Sequence, residues 1–146
     1  MPKKILDLGT GSGVLSIVAA LLWKSSKINA LDIDVTSVKA SNINFKKNNL
    51  SYRIIAEKNN GKKITKNRIQ KQSLDLIISN ILVSPLKTLA YNSALNLSKN
   101  GYIVLSGVLN RQLNDITSIY GSFGLVTCKK IKVDCWSTVI MKSGKN

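Results

Sequence analysis

The feature that most constrains this chain is Ile5-Leu6-Asp7-Leu8-Gly9-Thr10-Gly11-Ser12-Gly13, an apolar stretch that carries an acid and breaks into three alternate glycines. A second apolar run, Val14 to Trp23, follows directly, so the segment reads as strand, turn and buried helix. Each glycine has its own expected task. Gly9 takes the backbone angles of a tight turn, Gly11 lets the main chain approach a ligand, and Gly13 lets the following segment pack close to the strand. Asp7, Gly9, Thr10, Gly11 and Gly13 are therefore candidate cofactor-binding residues, with Thr10 and Ser12 expected to show hydroxyls and amides to a carboxylate. Glycine-rich turns also occur with no ligand, and that plain reading stays open on this run alone.

Spacing strengthens the cofactor reading. Lys27 to Ile33 reads as a second strand ending in Asp32-Ile33-Asp34, and Asp32 lies 23 residues after Gly9. An acid about 20 residues beyond such a loop accepts the hydroxyl pair of a ribose in nucleotide-binding α/β folds. Alternate strand residues face opposite ways, so the two acids divide their work: Asp32 for the ligand, Asp34 as the cap of a helix starting near Val35.

Composition removes several chemistries. The 146 residues contain no histidine, which excludes Ser-His-Asp and Cys-His catalysis and leaves seven carboxylates for proton transfer. Cys128 and Cys135 have no metal-ligand spacing, so no metal site is expected and buried thiols are the default. No apolar run approaches the roughly 18 residues of a membrane span, and Met1-Pro2-Lys3-Lys4 leads into a strand, so a cytoplasmic protein without membrane contact is expected. The net charge of +15 raises the question of nucleic acid. Its densest stretch, Lys58 to Lys71, has no interleaved aromatic, and the lysine, asparagine and isoleucine richness matches an AT-biased coding sequence. A solvated loop and a weak RNA contact both remain open there.

Strand and helix alternate along the chain: strand 4–8, helix 13–24, strand 27–33, helix 35–48, strand 51–57, the basic loop, strand 74–79, helix 84–98, strand 101–107, helix 110–121, and closing strands 124–133 and 135–142. Runs such as Leu74-Asp75-Leu76-Ile77-Ile78 suit strands covered on both faces. The pattern predicts one α/β domain with a doubly wound, mostly parallel seven-stranded sheet, its ligand at the carboxyl ends of the first, second and fourth strands. Two consecutive strands at the end predict an antiparallel closing hairpin, in which Cys135 and Trp136 are expected to pack into the core. A closing hairpin of this kind resembles the Rossmann-like methyltransferases, and that resemblance implies S-adenosyl-L-methionine in preference to NAD.

Beyond the fourth strand come Ser79-Asn80-Ile81-Leu82-Val83-Ser84-Pro85-Leu86, then Ser106-Gly107-Val108-Leu109-Asn110-Arg111-Gln112, and finally Asp134-Cys135-Trp136. With the glycine loop and Asp32-Ile33-Asp34, these blocks resemble the PrmA family, bacterial methyltransferases of ribosomal protein L eleven, over nearly the whole chain. The resemblance implies a Rossmann-like class I methyltransferase fold, S-adenosyl-L-methionine as cofactor, and methylation of lysine and N-terminal amines of a large-subunit ribosomal protein. By position it makes Gly9 and its neighbours the turn beneath the cofactor, Asp32 the ribose acceptor, and Asn80 the catalytic and cofactor-facing residue at the mouth. Helix capping is the plainer reading of Asn80, the first helical turn that of Pro85, and the surface that of Gln112.

The resemblance also implies an N-terminal substrate-recognition domain and a segment enclosing the cofactor ahead of the first strand, both expected to be absent here. On that expectation residues 1–146 form the catalytic domain alone. An RNA-directed methyltransferase and an inactive cofactor-binding remnant are the alternatives.

Overall fold

The computed structural model describes residues 1–60, 64 and 73–144. Short apolar runs bounded by turns give seven strands: β1 (Lys4–Leu8), β2 (Lys27–Asp32), β3 (Ile54–Lys58), β4 (Leu74–Asn80), β5 (Leu97–Leu109), β6 (Leu125–Val133) and β7 (Trp136–Ser143). The intervening segments give the helices α1 (Val14–Leu22), α2 (Val35–Lys47), α3 (Val83–Asn96) and α4 (Leu113–Ser122). The strands form one sheet in the order β3-β2-β1-β4-β5-β7-β6. Every pairing from β3 to β5 is parallel, whereas β7 runs antiparallel to both β5 and β6.

The period-two alternation of the strands divides the core in two. Leu6, Leu8, Ile77, Ile103, Leu105 and Met141 face α3 and α4, meeting Leu86, Leu89, Ile116 and Tyr120. Ile5, Ile28, Ala30 and Leu76 face the other way, toward Ala19 and Ala20 of α1 and Phe45 of α2. The strand order reverses between β1 and β4, which opens a crevice at their carboxyl ends.

Several boundaries differ from expectation, each for a local reason. Strand β3 starts at Ile54 because residues 51–53 complete a turn, closed by Arg53 N–H to Leu50 O. Helix α3 stops at Asn96 because Leu97, fully buried, turns extended and pairs with Leu74. The helix expected over 110–121 begins as a 3-10 turn at 110–112, where Gln112 Oε1 accepts from Leu109 N–H at 3.1 Å. That contact gives Gln112 a local structural role.

Two burial expectations are corrected. Helix α1 forms, but it buries only Ser16, Ala19 and Ala20, and Leu21 and Leu22 are 63% and 66% exposed. Its small residues seat it on the sheet, and no described element covers its outer side. Cys128, Cys135 and Trp136 are all exposed, Trp136 by 48%: Cys128 lies on the edge strand β6, where only Leu125 is buried, and Cys135 and Trp136 lie at the tip of the hairpin that joins β6 to β7.

Arg53 closes the end of α1. Its guanidinium donates to the carbonyls of Ala20, Trp23 and Ser26 and to Ser26 Oγ. A planar fork of donors suits the unpaired carbonyls at a helix C-terminus, where positive charge is also favoured. Among the described residues, no helix is long and apolar enough to cross a membrane.

Candidate active site at the carboxyl edge of the sheet

All three loop glycines are left-handed, with φ of 72° at Gly9, 55° at Gly11 and 86° at Gly13. The turn is fastened to the neighbouring strand, since the amides of Gly9 and Thr10 both donate to Leu31 O, at 2.8 and 3.1 Å. A Cβ on Gly9 would lie 2.1 Å from Ile81 Cγ2, whereas one on Gly11 would meet nothing within 4 Å. Gly9 thus admits the segment after β4, and the space beside the Gly11 Cα is open. Gly13 differs from expectation in its neighbour: a Cβ there would lie 2.5 Å from Phe45 Cε1, so the close approach is to α2 and not to the preceding strand.

The structure changes the roles of Asp7 and Thr10. Asp7 is fully buried and Thr10 is 5% exposed. Asp7 Oδ2 accepts from Thr10 Oγ1 at 2.8 Å and from Ser16 Oγ at 2.6 Å, tying the loop to the first turn of α1 from below. Burial holds the Asp7 carboxyl above its ordinary pKa, against the lowering effect of those hydroxyls. Both polar groups of the Thr10 amide and side chain are spent inside the protein, so its hydroxyl does not project toward a ligand. Asp7 and Thr10 are positioning residues in this geometry. Ser12 remains exposed.

Of the two acids after β2, Asp34 takes its expected place at the start of α2. Asp34 caps α2, its carboxylate accepting from Thr36 N–H at 3.1 Å and from Ser37 N–H at 2.9 Å, and these bonds lower its pKa. Asp32 lies half-buried and turns to the loop: Oδ2 accepts from Gly11 N–H at 2.9 Å and Oδ1 from Asp34 N–H at 3.0 Å. A carboxylate accepts about four hydrogen bonds, so each oxygen retains capacity for a hydroxyl.

A cleft of about 510 Å³ opens beside Asp32, lined by Leu8, Gly9, Leu31, Asp32, Ile33, Asn59, Asn60, Ile81, Leu82, Pro85 and Leu89. That volume lies in the ~300–1,000 Å³ range of small-molecule sites, and the mix of apolar walls with few polar groups is typical of them. Ile33, Asn59, Asn60, Ile81 and Leu82 had no assigned site role in the sequence. Each follows the carboxyl end of β2, β3 or β4, and Ile33, Ile81 and Leu82 also stand inside the sequence blocks that carry the family resemblance.

Asn80 ends β4, is exposed, and pairs in register with Ser106. It does not cap α3, whose N-cap is Leu82 with no side-chain bond. Pro85 falls in the first turn of α3 as expected and also lines the cleft. Gly107, at φ 75°, passes so close that a Cβ would lie 2.8 Å from both Asn80 Oδ1 and Ile81 O. The β5–β7 register shifts between Leu105 and Val108, so an irregularity brings Gly107 against Asn80. The hairpin end joins the same edge: Trp136 pairs with Leu109, and Asn110 bonds Ser137 Oγ and the Asp134 carbonyl.

The basic stretch 58–71 lies largely outside the described residues. Lys58 ends β3, and Ile64 is fully buried in the core cluster on the α3 and α4 side of the sheet. Among the described residues, no three His, Cys, Asp or Glu side chains gather as a metal set.

Sheet order, antiparallel β7 and the cleft beside the glycine loop define the fold of class I S-adenosylmethionine-dependent methyltransferases. The ribosomal protein L11 methylase from Lactobacillus delbrueckii subsp. bulgaricus superposes with a TM-score of 0.86 at 26% identity, covering 98% of this chain and 71% of the other. A fibrillarin from Methanococcus jannaschii, at 15% identity and a TM-score of 0.83, shares the fold.

The family model described as "Ribosomal protein L11 methyltransferase (PrmA)" matches residues 1–144, and the chain belongs to that family. Relatives named ribosomal protein L11 methyltransferase include one from Bradyrhizobium diazoefficiens, 31% identical over 97% of this chain and 47% of its own length. Another, from Prochlorococcus marinus, is 32% identical over 99% of this chain and 47% of its own. This chain therefore spans about half the length of the curated relatives it matches.

Proposed function

We propose that residues 1–146 form the catalytic domain of an S-adenosyl-L-methionine-dependent protein N-methyltransferase that modifies amino groups, on lysine or the N-terminus, of a large-subunit ribosomal protein in the cytoplasm. The family match over residues 1–144 carries this reading. The cleft's residues fit the cofactor: an acid with spare acceptor capacity, an open glycine main chain and apolar walls meet at one edge. Asp32 would take the ribose hydroxyls, Gly9 and Gly11 would let the ligand lie against the backbone, and Ile33, Ile81 and Leu82 would flank an adenine ring. When bound, S-adenosyl-L-methionine supplies a methyl group on a positively charged sulfonium.

The protein's task is then to orient an amine and exclude water. An amine attacks only when neutral. The carboxamide oxygen of Asn80 accepts from the amine N–H and aims its lone pair, and a neutral acceptor does not favour the ammonium form as a carboxylate would. No imidazole is required for this, in keeping with a chain that has no histidine. Asp7 and Thr10 hold the loop, and Gly107 leaves the space Asn80 occupies.

Isothermal titration calorimetry with S-adenosylmethionine and S-adenosylhomocysteine tests the reading. Binding is expected and should be lost in Asp32→Ala. Absence of heat with both ligands at about millimolar concentration, a range where even weak complexes register, would overturn it. Methyl transfer to a ribosomal protein substrate, abolished in Asn80→Ala with cofactor binding retained, tests the catalytic half.

A further inference from the structure

One face of α2 looks onto the glycine loop. Ser41, Asn44, Phe45 and Asn48 follow the i, i+3, i+4 spacing that stacks side chains along a helix. A Cβ on Gly13 would lie 2.5 Å from Phe45 Cε1 and 3.1 Å from Ser41 Cβ, so these two press on the loop. Asn44 bonds it: Nδ2 donates to Ser12 O at 2.8 Å, from 32 residues away in the chain. Asn48, the C-cap, donates from Nδ2 to Asn44 O at 2.8 Å and closes the turn on which Asn44 stands.

The peptide between Ser12 and Gly13 is thereby held at both of its polar groups. Its carbonyl accepts from Asn44, and its N–H, on Gly13, donates to Thr10 O at 2.8 Å. The amides of Gly9, Thr10 and Gly11 are fastened instead to β2, through Leu31 O and the Asp32 carboxylate. So β2 holds the first half of the loop, and α2 holds the second. Packing by Phe45 and Ser41 limits how far Gly13 can move, but it leaves the direction of the Ser12 carbonyl open. A hydrogen bond is directional, and Asn44 sets that direction.

The neighbours of this peptide are the groups that meet the ligand in the reading above. Gly11, with open space beside its Cα, is one residue before Ser12, and its amide bonds Asp32. Helix α2 touches the same acid at its start, where Asp34 N–H donates to Asp32 Oδ1 at 3.0 Å. One rigid helix therefore fixes both the ribose-facing acid and the far side of the loop. We infer that Asn44 is a positioning residue of the cofactor site, acting through the Ser12 carbonyl. The inference rests on the S-adenosyl-L-methionine reading of the cleft.

The test titrates the full chain with S-adenosylhomocysteine by calorimetry. Asn44→Ala and Asn44→Asp should each weaken binding about five- to thirtyfold, the equivalent of one residue's backbone freedom. Asn44→Asp keeps the shape and an acceptor but has no amide donor for Ser12 O. Asn42→Ala is the control, because Asn42 stands on the same helix and bonds both Ala56 O and Ala56 N–H, at 3.2 and 3.4 Å. It should cost about as much stability in urea as Asn44→Ala and leave affinity within about twofold. Amide NMR of the free protein adds a readout that needs no ligand. The Gly13 amide, whose nitrogen is bonded to the Ser12 carbonyl carbon, should shift and exchange faster in both Asn44 variants and not in Asn42→Ala. Unchanged affinity in Asn44→Asp, an equal loss in Asn42→Ala, or an unmoved Gly13 amide would overturn the inference. A chain that binds no S-adenosylhomocysteine at about millimolar concentration would overturn the cofactor reading instead, and the Gly13 amide would then decide the loop's dependence on Asn44.

Discussion

Gly9→Ala and Gly11→Ala separate backbone strain from steric conflict within one loop. Both positions are left-handed, at φ 72° and 55°, so alanine costs each about 1–2 kcal/mol, partly offset by ~0.4–1 kcal/mol from a stiffer unfolded chain. At Gly11 a Cβ meets nothing within 4 Å, and the net loss should be about 1 kcal/mol or less. At Gly9 the new Cβ would lie 2.1 Å from Ile81 Cγ2, on a β-branched side chain that has little freedom to turn away. Overpacking of this kind adds about 1–3 kcal/mol, for a total of about 2–4 kcal/mol, or roughly 6–13 °C in Tm for a domain of this size. Ile81→Ala supplies the check. It removes Cγ2 and leaves Cβ at 3.6 Å, an ordinary contact, so in the double variant the penalty of Gly9→Ala should fall to that of Gly11→Ala. Urea denaturation followed by circular dichroism gives all four stabilities. Losses at Gly9 and Gly11 that agree within about 0.5 kcal/mol, or an Ile81→Ala background that leaves the gap unchanged, would refute the steric argument.

Arg53→Met should cost about 2–3 kcal/mol in the same assay by freeing the carbonyls at the end of α1, and Arg53→Lys should recover little because an ammonium cannot bridge them together. Asp7 and Asp34 should shape acid stability in opposite senses. The Asp7 carboxyl is raised by burial, so its contribution is full below the ordinary value of 3.8 and is lost as pH rises through the raised value; Asp7→Asn should remove that decline. Asp34 is lowered by its capping bonds, so its contribution is present above 3.8 and lost as pH falls; Asp34→Asn should flatten the acid limb of a Tm-against-pH curve. Gly107→Ala should displace Asn80 and also press on the backbone of Ile81 at the cleft wall, so methyl transfer should fall by an order of magnitude or more and S-adenosylhomocysteine affinity by a smaller factor, two losses that calorimetry and a transfer assay would read together.

Local signals carried the fold a long way. The glycine loop, the Asp32 spacing and the closing pair of strands lie within short windows, where turn chemistry and period-two alternation act directly. Asp34 as a cap needed only the helix that follows it. What the sequence left hidden depends on neighbours distant in the chain. Gly13 is fixed by Phe45 and Gly107 by Asn80 and Ile81, encounters made only when strands and helices stack. Asp7 has the chemistry of a ligand contact, and only the depth of its burial shows that it faces Thr10 and Ser16. Cys135 and Trp136 were expected in the core because residue type favours burial. Their place at the tip of the closing hairpin, Cys135 in its turn and Trp136 at the first position of β7, reverses that preference.

The bond from Gly11 N–H to Asp32 changes what an alanine scan would report. Asp32 links the glycine loop to the start of α2 through Gly11 and Asp34, so truncating it unfastens the free protein as well as deleting a ligand acceptor. The affinity lost in Asp32→Ala is then the sum of a missing contact and a loop that must be re-ordered on binding. Asn at this position keeps an acceptor for one of the two amides. The difference between the alanine and asparagine variants measures how much of the site's affinity is stored as order before any ligand arrives.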